Sequence, residues 1–381
     1  MVDRPRNLDR LRASIKNNPV TALLGPRQCG KTTLSRMLSK EYGEVTYFDL
    51  EDPVDLAKLS APKVTLSRID GIIIIDEIQR RPDLFPILRV FSDEVESKRR
   101  FLILGSASSA LIRDASESLA GRIGFVDIGG FSVTEVGIHN HMKLWLRGGF
   151  PRSFLAEDEE TSFHWRNDFI RAFLERDLPQ LGITVPAETL RRFWTMIAHY
   201  HGQIWNAAEF ARALGSSEVT ARRYLDILTG AYIIRQLVPW YENIKKRQVK
   251  AQKIYIRDTG LLHALLSIGT ELELTGHPKI GASWEGFVLE QIIALTGSRD
   301  IYFWSVYSGA ELDILYFKKG KRFGIEIKYT DAPVITRSMR STLEVLNLES
   351  ISIIYPGSGS YPLDEKIRAV SILDLPSILE L

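Results

Sequence analysis

The chain has a single cysteine, Cys29, which excludes an internal disulfide. It also lacks a long apolar run. None approaches the length of a membrane span, and the opening Met-Val-Asp-Arg-Pro-Arg has no apolar signal core, so the expected compartment is the cytoplasm, with no membrane partner. An excess of one charge sign is missing too. Lys and Arg number 49 against 47 Asp and Glu, a net charge of +2, so any nucleic-acid surface must be a local patch. The remaining composition is ordinary for a globular protein, with 45% hydrophobic and 25% charged residues. A length of 381 residues predicts two or three domains, each able to bury a core.

Against that background, residues 25–32 stand out. They read Gly-Pro-Arg-Gln-Cys-Gly-Lys-Thr and match G-x-x-x-x-G-K-[ST] at every fixed position. Residues 20–24 form a short apolar run of strand type. The residues from 33 to 40 place Leu34, Met37 and Leu38 as a helix would. Strand, loop and helix in that order bring backbone N–H groups and a helix N-terminus onto a polyphosphate. A glycine-rich turn holding Lys-Thr by chance would not have these flanks. The candidate nucleotide-binding residues are Gly25, Pro26, Arg27, Gln28, Cys29, Gly30, Lys31, Thr32 and Thr33. Lys31 is expected on the β- and γ-phosphates and Thr32 on Mg²⁺.

Residues 7–17 set Leu8, Leu11 and Ile15 on one helical face, and residues 45–50 read as a second strand. Residues 71–77 carry an apolar run without alternation, as expected of a central parallel strand, and end in Asp76 and Glu77. Asp76 is the second candidate Mg²⁺ ligand, acting through water, and Glu77 the candidate to polarise the attacking water. A further strand at 101–104 runs into Gly-Ser-Ala-Ser. A side chain there, Ser106 or Ser108, either sits beside the γ-phosphate or belongs to a serine-rich turn that caps a helix. After residues 119–122 (Leu-Ala-Gly-Arg) comes one more strand at 124–128. Repeated strand–helix units predict a parallel α/β sheet.

The glycines and proline of residues 147–152 break this pattern. Helices are expected over 161–177 and 191–200, then a helix–turn–helix over 206–214 and 216–228. Asn206 is a candidate cap for the first helix, Gly215 for the turn, and Ser216 or Ser217 for the second cap. Arg222 and Arg223 lie on the second helix. Residues 245–253 hold five basic residues in nine between two β-type segments, in the manner of a winged-helix wing. Arg222 and Arg223 would then face a DNA groove, and Lys245, Lys246, Arg247 and Lys250 the phosphates. The alternative is a solvated hairpin tip on a structural domain.

Farther on, residues 284–295 form an amphipathic helix containing Glu285 and Glu290. Three strands are expected, at 301–306, 311–317 and 322–329. Asp313, twelve further residues and then Glu326-Ile327-Lys328 give the core of the PD-(D/E)XK nuclease pattern. A two-residue turn at Lys319-Gly320 would pair Lys318 with Lys321 and set Asp313 opposite Glu326, side chains about 5 Å apart on one face. Two facing carboxylates invite a divalent ion, Mg²⁺ or Mn²⁺, with Asp313 and Glu326 as ligands. Lys328 on the same face would stabilise developing phosphorane charge, and Glu285 would complete the site. Otherwise the carboxylates are solvated and balanced by Lys328.

Taken together, residues 25–32, 72–77, 104–108, 119–122, 148–151, 284–285, 311–313 and 326–328 resemble a family of prokaryotic AAA-type ATPases. Its members carry a C-terminal domain of unknown function, DUF4143, similar to a PD-(D/E)XK nuclease. The resemblance covers essentially the whole chain. It implies an AAA+-like P-loop domain over 1–150, a helical lid and winged helix over 151–250, and a small α/β restriction-endonuclease-like domain over 251–381. It also implies a sensor at Ser106 or Ser108, and a turn into the lid at residues 149–151. Arg122, or else Arg113, is the implied arginine finger or sensor, and the family's assembly implies a homo-oligomer. This sequence has Leu312-Asp313 where the nuclease pattern has Pro-Asp. Two functions follow, the first favoured because Asp313, Glu326 and Lys328 are all present together and the second its alternative. One is an ATP-hydrolysing enzyme that engages DNA and cuts it. The other is a nucleotide-switched DNA- or protein-binding adaptor with an inactive nuclease-like domain.

Overall fold

Apolar runs without alternation become the inner strands of a covered sheet. The computed structural model of the chain describes residues 2–94, 98–106, 115, 117–243, 247–297, 300–307 and 309–378. It divides into two compact units, Met1–Gly130 with Gly230–Tyr232, and Phe131–Thr229 with Ile233–Leu381.

The first unit is built on five parallel strands, β1 (Val20–Gly25), β2 (Val45–Asp49), β3 (Ile72–Asp76), β4 (Arg100–Ser106) and β5 (Ile123–Asp127), in the order β2-β3-β4-β1-β5. Each crossover returns the chain to the same end, so the carboxyl ends of β1 and β3 open on one side. Ile73 and Ile75 of β3 pack with Leu88, Phe101, Ile103 and Leu119 in one buried core. Helix Pro5–Asn17 buries the expected face of Leu8, Leu11 and Ile15.

The second unit begins with helical elements. Helix Glu159–Ala172 runs into a π-helical turn at Phe173–Asp177, and helix Ala187–His199 follows. The helix–turn–helix consists of Ala207–Leu214 and Glu218–Gly230 around Gly215 in the left-handed region. Ser217 Oγ accepts from Thr220 N at 3.1 Å and so caps the second helix, whereas Asn206 makes no side-chain cap on the first. Strands β6 (Gln203–Ile204), β7 (Ile234–Leu237) and β8 (Lys253–Ile256) form an antiparallel sheet in the order β6-β8-β7.

Helix Ile280–Thr296 leads to a mixed six-stranded sheet of β9 (Ile301–Ser305), β10 (Glu311–Lys318), β11 (Lys321–Ile327), β12 (Ser350–Tyr355), β13 (Tyr361–Pro362) and β14 (Ile367–Ser371). Their order is β13-β14-β12-β11-β10-β9. The β10–β11 hairpin pairs Lys318 with Lys321 and Ile314 with Ile325, so Asp313 stands opposite Glu326, as the spacing predicts. Lys319 and Gly320 both have positive φ, 49° and 76°, the tight turn whose twist suits a hairpin.

The segment between β7 and β8 is not a free-standing wing. Trp240 N donates to Phe303 O at 2.7 Å, Val249 N to Ser305 O at 3.0 Å, and Tyr307 N to Arg247 O at 3.1 Å. An edge strand presents unpaired backbone groups, and this strap satisfies those of β9. Among the described residues no helix is long and apolar enough to cross a membrane.

Candidate functional site

At the carboxyl end of β1 the backbone turns sharply. Gly30 has φ 99°, a conformation that disfavours side chains, and the helix Lys31–Ser39 starts directly after it. Lys31 is buried, and its Nζ donates to Gly25 O at 3.1 Å and Pro26 O at 2.9 Å, curled over the loop it serves. Thr32 Oγ1 donates to Asp76 Oδ2 at 2.8 Å. The same oxygen accepts from Tyr47 OH at 2.5 Å, and Asp76 Oδ1 accepts from Glu77 N at 2.9 Å. A hydroxyl and a carboxylate in contact are the hard oxygen donors that suit Mg²⁺, so these residues fit that ion. Glu77 has φ 56° and ψ 44°, an unusual strained backbone for a non-glycine residue. Burial raises its carboxyl pKa, and the charges of Lys31 and Arg27 oppose that rise. Gln79 donates to its carboxylate.

The loop is braced from outside. Arg4, itself buried, donates through Nη1 to Cys29 O at 3.0 Å and through Nη2 to Gly129 O and Gly130 O at 3.2 and 3.0 Å. Cys29 is fully buried, and its position in the loop is structural. Arg27 pairs with Glu51 at 3.0 Å. Ser106 ends β4, its backbone paired with Gly25. Ser108 and Arg113 lie outside the described residues.

Arg122 is at the other end of the sheet. Val20 N, at the amino end of β1, donates to Arg122 O at 3.1 Å. Five residues of strand, about 17 Å, separate that point from Gly25. Arg122 therefore does not reach its own phosphate loop, which removes the option of sensing its own nucleotide. Its guanidinium grips Asp93 by two bonds, of 2.5 and 3.1 Å.

In the second unit, Asp313 and Glu326 come together as expected, and Lys328 joins them. Lys328 Nζ lies 2.8 Å from Glu326 Oε2 and 3.5 Å from Asp313 Oδ2. Ile327 N also donates to Asp313 Oδ2, at 2.8 Å. Glu285 lies in the same cluster, but what it meets there was not expected. Lys253 of β8 reaches between the carboxylates, its Nζ 3.1 Å from Glu285 Oε1 and 3.6 Å from Asp313 Oδ1, and it also pairs with Glu311. Tyr255 OH donates to Glu285 Oε1 at 2.5 Å. Burial works against the charge on Lys253, yet Glu285, Asp313 and Glu311 hold its pKa well above the ordinary value. Burial and then Asp313 push the Glu326 carboxyl up to about 8. Among the described residues, no three His, Cys, Asp or Glu side chains are placed to hold a metal ion. Lys253 and Lys328 are the cations that stand among these carboxylates.

Comparison with known proteins then settles the family. An AAA domain model matches residues 17–137, a domain of unknown function, DUF8612, matches 138–272, and a second, DUF4143, matches 280–375. An uncharacterized protein of Mycobacterium tuberculosis is 52% identical over 384 residues, covering 100% of this chain and 87% of that one. The chain belongs to this family of AAA-type P-loop ATPases. An uncharacterized protein of Mycobacterium bovis matches to the same extent. The Walker-type ATPase of Pyrococcus abyssi shares the fold at 17% identity and a TM-score of 0.50, over 70% of this chain and 96% of that one.

The remaining motif residues of this AAA-type ATPase have clear places. Arg222 and Arg223 are exposed on the second helix of the helix–turn–helix, and Arg247 and Lys250 are exposed on the strap along β9. Lys245 and Lys246 lie outside the described residues. Lys253, counted at sequence level with the basic run, is buried and belongs to the carboxylate cluster instead. The glycine pair before Phe150 has a packing reason. A Cβ on Gly148 would lie 2.2 Å from Asp258 Oδ1, and Asp258 accepts from Gly149 N at 2.7 Å and Leu261 N at 2.9 Å. Arg4, Tyr47, Lys253 and Tyr255 were not singled out from sequence. For Tyr47 a signal existed, a hydroxyl near the carboxyl end of a strand beside the Asp76 strand. The other three owe their roles to contacts distant in sequence.

Proposed function

We propose that the protein hydrolyses ATP at the phosphate loop, works as a homo-oligomer, and uses the nucleotide cycle to control engagement with DNA. The linked arrangement of Lys31, Thr32, Asp76 and Glu77 carries this reading. Lys31 would exchange its bonds to Gly25 O and Pro26 O for the β- and γ-phosphate oxygens of the substrate. Thr32 and Asp76 would hold Mg²⁺, which neutralises phosphate charge when bound. Glu77, with a raised pKa and a left-handed backbone at the end of β3, would orient and deprotonate the attacking water. Arg122 would serve the γ-phosphate of a neighbouring subunit. Ser106 is proposed beside the γ-phosphate because its backbone ends the strand next to β1.

DNA engagement is assigned to Arg222 and Arg223 with Arg247 and Lys250, and to Lys245 and Lys246 by sequence. The convergence of Asp313, Glu326 and Lys328 favours the reading in which the C-terminal domain cuts DNA. Lys253 speaks against it, and the adaptor reading of that domain is preferred, with ATP hydrolysis as the chemistry. The test is phosphate release together with fluorescent-nucleotide binding. Lys31→Ala should abolish binding. Glu77→Gln should bind as the parent does and turn over orders of magnitude more slowly. Parental turnover by Glu77→Gln would refute the assignment of the base.

A further inference from the structure

Lys253 is 4% exposed, although a lysine is almost never buried without anions around it. Its anions come from two separate elements. Glu285 projects from helix Ile280–Thr296, while Glu311 and Asp313 project from β10. All three converge on one Nζ. Tyr255, two residues along the same face of β8, donates to Glu285 at 2.5 Å and ties the strand to that helix a second time. Both Asp313 oxygens already face positive or donor groups, Oδ1 with Lys253 at 3.6 Å and Oδ2 accepting from Ile327 N with Lys328 3.5 Å away. A divalent ion between Glu285 and Asp313 would have to displace the Lys253 ammonium that both carboxylates already face. The buried Glu326 Oε1 has no hydrogen-bond partner, and the cation beside its carboxylate is Lys328.

We propose that Lys253 is a resident cation standing where a metal-dependent nuclease would hold its divalent ion, and that the cluster is an ionic latch joining β8 to β10 and to helix Ile280–Thr296. The site then takes up neither Mg²⁺ nor Mn²⁺, and the strand that supplies the cation comes from the segment preceding the nuclease-like sheet. The latch depends on no nucleotide and no DNA, so it stands or falls apart from the ATPase reading.

The experiment is a titration of nucleotide-free, full-length protein with MnCl₂, following free Mn²⁺ by electron paramagnetic resonance. The parent and Asp313→Asn should take up the same amount, since any binding at Thr32 and Asp76 is common to both. Lys253→Met keeps the apolar stem and removes the charge. It should take up about one more Mn²⁺ per chain, and Lys253→Met/Asp313→Asn should lose that gain. Two results would overturn the proposal: parent protein that binds one Mn²⁺ more than Asp313→Asn, or folded Lys253→Met that binds no more than the parent. Should Lys253→Met fail to fold, the comparison of parent with Asp313→Asn decides alone, equal uptake upholding the latch and an excess in the parent refuting it.

Discussion

Two buried imidazoles in the second unit are held neutral by their surroundings. His263 lies with Nδ1 3.0 Å from Leu146 O and Nε2 2.7 Å from Ser283 Oγ, so the ring donates on one side and accepts on the other. His201 accepts from Ile256 N through Nδ1 at 3.0 Å. Burial pushes both pKa values down to about 3, and for His263 the charge of Arg166 adds to the effect while the Leu146 carbonyl opposes it. Unfolding restores each ring to an ordinary value near 6.5. The stabilisation is therefore complete above about pH 6.5 and is lost as pH falls toward 3, at about 1.4 kcal/mol per unit for each ring. Urea unfolding at pH 7 and 5.5 should show His263→Gln losing about 1 kcal/mol less than the parent across that interval. Equal losses would mean that the imidazole is charged in the folded chain.

At the scale of elements, residues near in sequence gave up their arrangement readily. The phosphate loop, its strand and its helix are contiguous, and the β10–β11 register follows from a two-residue turn, so Asp313 opposite Glu326 could be counted out. The same count could not show Lys253, because β8 lies 60 residues before Asp313 and only tertiary packing brings them together. Nor could the basic run announce that it straps the β9 edge, since backbone pairing with an edge leaves no mark in side-chain pattern. The strap changes what a DNA experiment should see. Arg247 and Lys250 ride on a paired segment, and Arg222 and Arg223 on a helix, so their positive charge is displayed without first ordering a loose hairpin. Neutralising these four residues should lower the slope of log affinity against log salt by about one unit for each lost phosphate contact, measured by anisotropy with duplex DNA. An unchanged slope would assign the four to a solvated surface.

For the whole molecule, the decisive fact is that Arg122 and the phosphate loop occupy opposite ends of one parallel sheet. A chain acting alone cannot bring that guanidinium to its own nucleotide, whereas a second copy can present it to the first. Such a group stabilises charge spread over the transferring phosphoryl and is worth about 10³–10⁵ in rate. On the proposed role its grip on Asp93 would open on assembly, exchanging one exposed ion pair, worth little in water, for a contact with far more negative charge. Two inactive variants test the arrangement. Lys31→Ala cannot bind nucleotide but still offers Arg122, and Arg122→Ala binds nucleotide but offers no finger. Each should be nearly inactive alone. Mixed under conditions that allow subunits to exchange, they should recover a measurable share of parental phosphate release, because some subunits then pair an intact loop with a neighbour's intact Arg122. Recovery that peaks at intermediate mixing ratios and vanishes toward either pure variant would place the finger in trans. No recovery across all mixing ratios, with exchange verified by fluorescence transfer between labelled subunits, would remove Arg122 from the reaction.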